Sequence, residues 1–526
     1  MGWIRFSHAV LGAAIVLAPA TAEAKWLKAE TKNFVIFSAG TDKELRRFAV
    51  NLERFHATAQ RVYRVEARDN PNRLTVYFLD SQESVSRLAG NKRGSLAGFY
   101  SPRLEGSFAV SNRNKADDKF DLDGTTVLFH EYSHHFMARN FSYAYPAWYV
   151  EGFAEYISTV TFDDKGGWTL GKPAYHRAYS LLEAERIPVE KLLLGKVSDL
   201  KPGELGPFYG RAWLLVHMLN MDPAYKGKLA AYFSAVGQGK PHREAAETAF
   251  GNLAELDKAL NVYLGKRLRY LGTDQPIPAA TEVTVSPLGT AAEQVLEFRL
   301  ARLLGPLDAK EMAELQALAR SYPAEAGVWY ELARAQRAVA LAAGQDEARK
   351  AGLLAAEQSV DKALAADPAH VHANVLKANL ALERLRDQGD DNPAHWTAAR
   401  DYLITANAHA HDDPLVLTEW YDSFVTQGRA PSKNARDGLA RAFELAPEVI
   451  EVRVKYAFDL ATQGRFDEAL GLVDYLAQHP HHAAQGQELV GRLKQIRERA
   501  AQREAARATA PAPAPAPAKS APKQDR

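Results

Sequence analysis

The sequence predicts an α+β domain followed by an all-helical domain. The chain has 526 residues, more than one hydrophobic core usually serves, so two folded domains and tails are expected. Residues 25–272 mix short β-rich runs with helical runs, whereas residues 291–500 are rich in Ala, Leu, Glu and Arg with helical periodicity. Prolines at 276, 278 and 287 interrupt regular structure, so residues 273–290 are expected to form a linker.

The composition is that of a globular protein and excludes several classes of function. Apolar residues make up 47% and charged residues 25%, and a net charge of +1 gives no electrostatic basis for a nucleic-acid partner. The chain has no cysteine, which excludes disulfides, thiolate ligands and a cysteine nucleophile. Any bound metal must therefore be held by nitrogen and oxygen.

Residues 1–24 have the features of a signal peptide. Arg5 lies in a short polar start, an apolar run extends from Ala9 to about Pro19, and Ala22-Glu23-Ala24 offers small residues for cleavage. An amino-terminal membrane anchor is less favoured, because this run is shorter than the ~20 residues that span a bilayer. The sequence thus predicts export to the periplasm or beyond, a mature chain from Lys25, and no transmembrane segment after cleavage.

The first domain begins with alternating strands and helices. Residues 33–38 and 73–79 predict strands, and residues 41–62 between them have helical spacing. Residues 98–100 and 107–110 predict a strand pair, joined by the turn-forming Ser101-Pro102-Arg103. Helices dominate from Thr125 onward.

The central motif is His130-Glu131-Tyr132-Ser133-His134, within a stretch of helical character. Residues four apart lie about 40° apart around a helix, so both imidazoles can face one metal ion. Glu131 lies beside them and can accept a proton from water without being a ligand, as in zinc peptidases. Because the chain has 16 histidines, the motif alone is only moderately specific and needs a second signal.

That second signal is Glu151-Gly152-Phe153-Ala154-Glu155, a helical stretch that is separated from His134 by 16 residues. The two motifs together resemble the gluzincins, the zinc peptidases that include thermolysin and the membrane alanyl aminopeptidases. The resemblance implies a zincin-like α+β domain with one zinc ion per chain. It assigns His130, His134 and Glu151 as ligands, and Glu155 as the acid that hydrogen-bonds a zinc-bound histidine. Glu155 as the third ligand, with Glu151 as a helix cap or salt-bridge partner, is the alternative.

Further residues are assigned by the same resemblance. The segment from Tyr209 to Leu219 resembles the aminopeptidase segment that begins with an oxyanion-stabilising tyrosine, so Tyr209 is the expected donor and His217 a competing one. A core tyrosine is the alternative for Tyr209. His135 is expected to be a packing or surface histidine. Residues 106–111 are expected to be the edge strand that holds an extended peptide substrate. The chain lacks the aminopeptidase Gly-x-Met-Glu-Asn pattern, which favours endopeptidase action or a dedicated substrate.

The second domain resembles tetratricopeptide repeats. Prolines occur at 323, 368, 414, 447 and 480, and the last two intervals are each 33 residues, close to the ~34 of that repeat. Residues 456–470 resemble its consensus, with Gly464 at the turn and Ala469 in the second helix. A generic helical bundle is the alternative. Residues 501–526, with alternating Ala and Pro at 510–518, are expected to form a disordered tail.

These features predict a zinc-dependent peptidase that acts on a peptide or protein, with helical repeats that recruit the substrate or a protein partner. The main alternative is a non-catalytic tetratricopeptide scaffold of the cell envelope with a vestigial or structural metal site. Against it, structural zinc sites usually close their fourth position with protein, commonly cysteine, and this chain has none. A third interpretation keeps the metal but makes the enzyme an amidase that acts on cell-wall peptides.

Overall fold

The computed structural model describes residues 26–66, 72–90, 96–141, 145–303, 305–344, 346–478 and 483–509. The predicted signal peptide and the alternating Ala-Pro stretch lie outside the described residues. Residues 501–509 belong to the last helix, so helical structure extends beyond the predicted boundary at residue 500. No described helix is both long and apolar enough to cross a membrane.

The described strands form a main sheet of six strands and a small sheet of three. They are β1 Leu27–Glu30, β2 Phe34–Ser38, β3 Leu74–Leu79, β4 Phe99–Ser101, β5 Phe108–Asn112, β6 Thr161–Phe162, β7 Trp168–Leu170, β8 Leu271–Thr273 and β9 Thr284–Pro287. The order in the main sheet is β4-β5-β3-β2-β1-β9, and β6, β7 and β8 form the small sheet. Strands β2, β3 and β5 run parallel, whereas β4, β1 and β9 each pair antiparallel.

The linker predicted at residues 273–290 contains a strand of the main sheet. Strand β9 pairs with β1 in the register Leu27 to Pro287 and Glu30 to Thr284. The prediction that all of residues 273–290 form a linker was therefore wrong. The prolines and glycine around this segment indicated irregular structure, but its β-branched residues fit an edge strand, where a terminal proline is tolerated.

The described part of the first domain contains ten α-helices. Those described are α1 Asp42–Tyr63, α2 Gln82–Leu88, α3 Gly124–Asn140, α4 Ala147–Ile157, α5 Ala178–Leu182, α6 Val189–Leu194, α7 Leu205–Met221, α8 Lys228–Gly237, α9 His242–Phe250 and α10 Leu253–Leu264. A capping box of Thr41 and Glu44 starts α1, which confirms the predicted helix to within one residue. The four strands predicted before the motif helix are also present.

The second domain is a succession of helices. Those described are α11 Thr290–Arg302, α12 Ala309–Ser321, α13 Ala326–Ala342, α14 Asp346–Ala366, α15 Val371–Gln388, α16 Pro393–His409, α17 Pro414–Thr426, α18 Lys433–Leu445, α19 Ile450–Thr462, α20 Phe466–Gln478 and α21 Ala483–Thr509. From α13 to α20 they pack as consecutive pairs, each of which begins at or just after one of the predicted prolines. The longer early proline intervals reflect longer helices, 17 to 21 residues against 13 in the last two pairs.

The main sheet separates two cores because its side chains alternate with period two. Leu74 and Val76 of β3 face the core that contains α1 and α3, whereas Tyr77 and Leu79 face the core that contains α2 and α11. In the first core, Phe55 of α1 stacks on Phe129 of α3 with ring centroids 4.1 Å apart. The sheet therefore supports the motif helix on one face and the start of the helical domain on the other.

Candidate metal centre

The motif helix α3 is fixed at its start and along its buried face. Asp123 caps it by accepting hydrogen bonds from the backbone N–H groups of Thr125 at 2.8 Å and Thr126 at 2.9 Å. Leu128, Phe129, Tyr132 and Phe136 anchor it in the core. His130 and His134 lie one turn apart on the partly exposed face, with their Nε2 atoms 3.2 Å apart. The predicted helical placement of the two histidines is present.

Glu151 comes to the same place from helix α4. Its Oε2 lies 3.5 Å from Nε2 of His130 and 3.7 Å from Nε2 of His134, and its side chain is 1% exposed. Gly152 permits this approach, because a Cβ there would lie 2.7 Å from the carbonyl oxygen of Ala212 on α7. Helices α4 and α7 can pack closely only with a glycine at this position.

The three donor groups have the composition and spacing of a zinc site. One donor atom from each of His130, His134 and Glu151 lies within 4.8 Å of the other two. Tetrahedral ligands at about 2.0–2.1 Å from an ion lie about 3.3–3.4 Å from one another. The observed separations of 3.2, 3.5 and 3.7 Å are close to that value. Two imidazoles and a carboxylate also fit zinc chemically, and they leave a fourth position open.

Glu155 lies behind the cluster and contacts His130 from the other side of its ring. Its Oε1 lies 3.2 Å from Nδ1 of His130, so it faces the ring nitrogen that points away from Glu151. Arg177 donates two hydrogen bonds to this carboxylate, at 2.8 and 2.5 Å, and Nε2 of His176 lies 3.3 Å from it. These contacts place Glu155 beside Nδ1 of His130 and Glu151 beside the Nε2 atoms of both histidines. The geometry favours Glu151 over Glu155 as the ligand.

The two carboxylates make this place favourable for positive charge. Burial alone would lower the pKa of His130, but its hydrogen bonds with Glu151 and Glu155 raise that pKa to about 10. Burial alone would raise the pKa of Glu155, but Arg177 and the hydrogen bonds from His130 and His176 lower it well below its usual range. Glu155 is therefore an ionised acceptor behind the histidine.

Tyr209 on α7 lies at the edge of the cluster. Its ring meets that of His130 edge to face, with centroids 6.1 Å apart, and Cζ of Arg177 lies over the Tyr209 ring, 5.2 Å from its centroid. Burial, reinforced by the charges of Glu151 and Glu131, raises the pKa of Tyr209, so its phenol stays protonated and can donate a hydrogen bond.

His217 is not at the site. It lies two turns beyond Tyr209 on α7, fully buried, with Nδ1 2.9 Å from the hydroxyl of Tyr263 and Nε2 2.8 Å from the carbonyl oxygen of Gly171. Both ring nitrogens are used within the core. The prediction that His217 competes with Tyr209 as the hydrogen-bond donor to the oxyanion is therefore wrong. His135 is a packing histidine, buried to 3% exposure, with Nδ1 2.9 Å from the hydroxyl of Tyr100.

Glu131 faces the edge of the main sheet. A Cβ added at Gly98, just before β4, would lie 3.5 Å from Cγ of Glu131 and 2.4 Å from Cγ1 of Val127. The strand order ends at β4, whereas β5 lies between β4 and β3 and is buried throughout. The prediction that residues 106–111 form the edge strand was therefore wrong. The edge strand beside the motif helix is Phe99–Ser101.

Arg177 and His176 belong to the site but carried no signal in the sequence. They lie in a short 3-10 turn, Tyr175–Arg177, that precedes α5. No motif spacing links them to His130 or Glu155, because the contact is made by folding across 22 residues. The prediction that Glu155 lies beside a histidine could have indicated that a cationic side chain compensates the charge of its carboxylate. It could not have identified that side chain as Arg177.

No protein-family model matches this sequence, and no curated protein matches it. Among solved structures, a thermophilic TPR protein of Thermus thermophilus is similar to this chain at 19% sequence identity, over 44% of this chain and 97% of that protein, with a TM-score of 0.28. A TM-score this low supports no conclusion about fold or function.

Proposed function

We propose that this chain is an exported zinc peptidase in which His130, His134 and Glu151 hold one zinc ion. The observation that carries the proposal is the convergence of three donor atoms at tetrahedral spacing next to Glu131. A zinc ion held there would supply Lewis acidity for a peptide carbonyl and would lower the pKa of water. The export assignment depends on residues 1–24 of the sequence.

The proposed reaction assigns a separate task to each surrounding residue. A carboxylate oxygen of Glu131 accepts a proton from the attacking water and returns a proton to the nitrogen of the departing amine. Glu155 keeps the proton of His130 on Nδ1, so that the Nε2 lone pair faces Glu151 and His134. Tyr209 donates a hydrogen bond from its hydroxyl to the developing oxyanion, an interaction worth about 3 kcal/mol in comparable sites.

The edge strand β4 supports peptide hydrolysis over other zinc-dependent reactions. Its outer edge carries no further strand among the described residues, and it lies beside Glu131. An extended peptide can add to such an edge through main-chain hydrogen bonds, which places its carbonyl groups in a regular row. The proposed substrate is accordingly an extended segment of a polypeptide. An amidase acting on cell-wall peptides would use the same edge.

The second candidate function is a non-catalytic scaffold of tetratricopeptide type with a vestigial or structural metal site. The observation that favours it is the run of helix pairs from α13 to α20, which makes up a large part of the described chain. Stacked helix pairs present extended surfaces that bind proteins. In this case the cluster would stabilise α3 and α4, and Glu131 would have no chemical role.

The two candidates differ in the effect of Glu131→Gln. The proposed peptidase should lose hydrolysis of an unfolded protein substrate by several orders of magnitude in this variant while it keeps its zinc, because Glu131 is not a ligand. Glu183→Gln, at an exposed position of the same domain, is the matched control and should keep full activity. A zinc-loaded parent chain that cleaves neither unfolded proteins nor cell-wall peptides would favour the scaffold.

A further inference from the structure

The groove of the helical domain contains part of the first domain. The groove has a volume of about 570 Å³ and is lined by the first helix of each pair, α13, α15, α17 and α19. The turn between β4 and β5, residues 102–107, reaches into it, and Arg103, Leu104 and Glu105 form part of its lining. The tip of the β4–β5 hairpin and the helical repeats thus share one surface.

Leu104 is the apolar anchor of this contact. It is 8% exposed and belongs to the same apolar cluster as Val375 and Ala378 of α15 and Leu415 of α17. Loops ordinarily lie at the protein surface, so the burial of this hairpin tip among helices of another domain indicates a specific fit. Glu105, the next residue, forms an ion pair with Arg334 of α13.

A second contact ties the helical domain to the motif helix. Glu448, in the loop between α18 and α19, is 7% exposed. It accepts hydrogen bonds from the hydroxyl of Ser107 at 3.2 Å and from Nη1 of Arg139 at 3.2 Å. Arg139 also donates to the carbonyl oxygen of Leu445 at 2.9 Å. Ser107 immediately precedes β5, and Arg139 lies in the last turns of α3, so one buried carboxylate joins three elements.

The root of the same hairpin lies at the proposed site. Gly98, just before β4, lies against Glu131, and the hydroxyl of Tyr100 lies 2.9 Å from Nδ1 of His135, the residue that follows His134. The pairing of β4 with β5 covers only Phe99 to Ser101, which is shorter than the usual strand of about 5–6 residues. Such a strand depends on its surroundings for a fixed position.

We infer that the helical domain is an internal clasp: its groove holds Leu104 of the β4–β5 hairpin, and its α18–α19 loop holds Ser107 through Glu448. Together these contacts fix β4 as the substrate-binding edge beside Glu131. The inference rests on the proposed peptidase function and assigns Leu104 and Glu448 as positioning residues. The section of the groove around Leu104 is filled by the chain itself. A partner recruited by the helices must therefore bind elsewhere on them or displace the hairpin.

The test uses the full mature chain with Leu104→Asp and Glu448→Gln. Both variants should keep one zinc per chain and a folded circular dichroism spectrum. Their KM for an extended peptide should rise more than kcat falls, with kcat/KM about 10-fold to 100-fold lower, because misplacement by about 1 Å costs up to that much. Leu354→Asp, at a leucine that is 57% exposed on α14, is the matched control and should leave both constants unchanged.

A readout independent of activity separates this inference from the proposed function. In hydrogen exchange, the amides of residues 99–112 should lose protection in Leu104→Asp and in Glu448→Gln, while those of α1 keep it. Suppose that the parent shows no cleavage of any substrate, and that these amides nevertheless lose protection in both variants. The peptidase proposal then fails and the clasp stands. Unchanged protection in both folded variants, or kcat and KM within twofold of an active parent, would overturn the clasp.

Discussion

The substitution Glu155→Gln tests how the site is held together. The carboxylate of Glu155 faces Nδ1 of His130 at 3.2 Å, Nε2 of His176 at 3.3 Å, and two nitrogens of Arg177 at 2.8 and 2.5 Å. A glutamine keeps one acceptor oxygen, so about half of these contacts survive. Loss of such a partner behind a ligand histidine typically lowers metal affinity 10-fold to 100-fold, about 1.4–2.7 kcal/mol.

The same substitution should destabilise the metal-free protein. Removing one partner of a buried ion pair costs about 3–5 kcal/mol, and the lower end applies here because the side chain of Arg177 keeps 21% of its surface exposed. Zinc affinity is measured by competition with a chromophoric chelator, and stability by urea denaturation of the chelated protein. The matched control is Glu183→Gln, at an exposed position. Zinc affinity within twofold of the parent in a folded Glu155→Gln protein would refute the role assigned to Glu155.

Three further predictions follow from other parts of the structure. Tyr209→Phe should lower kcat about 10²-fold to 10³-fold and leave zinc content unchanged, and a kcat equal to the parent's would make Tyr209 a packing residue. Asp123→Ala should lower the free energy of unfolding by about 1–2 kcal/mol in urea denaturation, because two backbone N–H groups of the motif helix lose their acceptor. Burial, reinforced by Asp422, raises the pKa of Glu419 from its ordinary 4.5 to about 7. The protonated side chain therefore makes its full contribution to the free energy of unfolding below pH 4.5, and this contribution is lost as pH rises through 7. The free energy of unfolding of Glu419→Gln should therefore equal that of the parent near pH 4.5 and exceed it at pH 8. A difference in the free energy of unfolding that does not change with pH would contradict this.

The parts of the site that the sequence could predict are those set by local geometry. The spacing of His130 and His134 defines one face of a helix whatever the rest of the chain does. Glu151 and Glu155 are likewise one turn apart on a short helix, and their side chains point to the same histidine from two sides. The prolines before the helix pairs are also local signals, since proline is tolerated at the start of a helix and excluded from its interior.

The parts that the sequence could not predict depend on contacts between distant segments. Arg177 reaches Glu155 through a short turn, and Glu448 reaches Arg139 across the two domains, and neither contact has a spacing rule. The edge strand was misplaced because β5 has the stronger strand pattern, and lateral order in a sheet is not encoded in that pattern. His217 could have been excluded: eight residues along a helix from Tyr209 is about 12 Å.

The central claim is that His130, His134 and Glu151 bind zinc, and elemental analysis of the purified mature chain tests it most directly. The chain, purified without chelators and dialysed against zinc-free buffer, should contain one zinc ion per molecule, and the His134→Ala variant prepared in parallel should contain less than a tenth of that. A folded parent chain that retains no metal, or a His134→Ala variant that retains as much zinc as the parent, would contradict the assignment of this site.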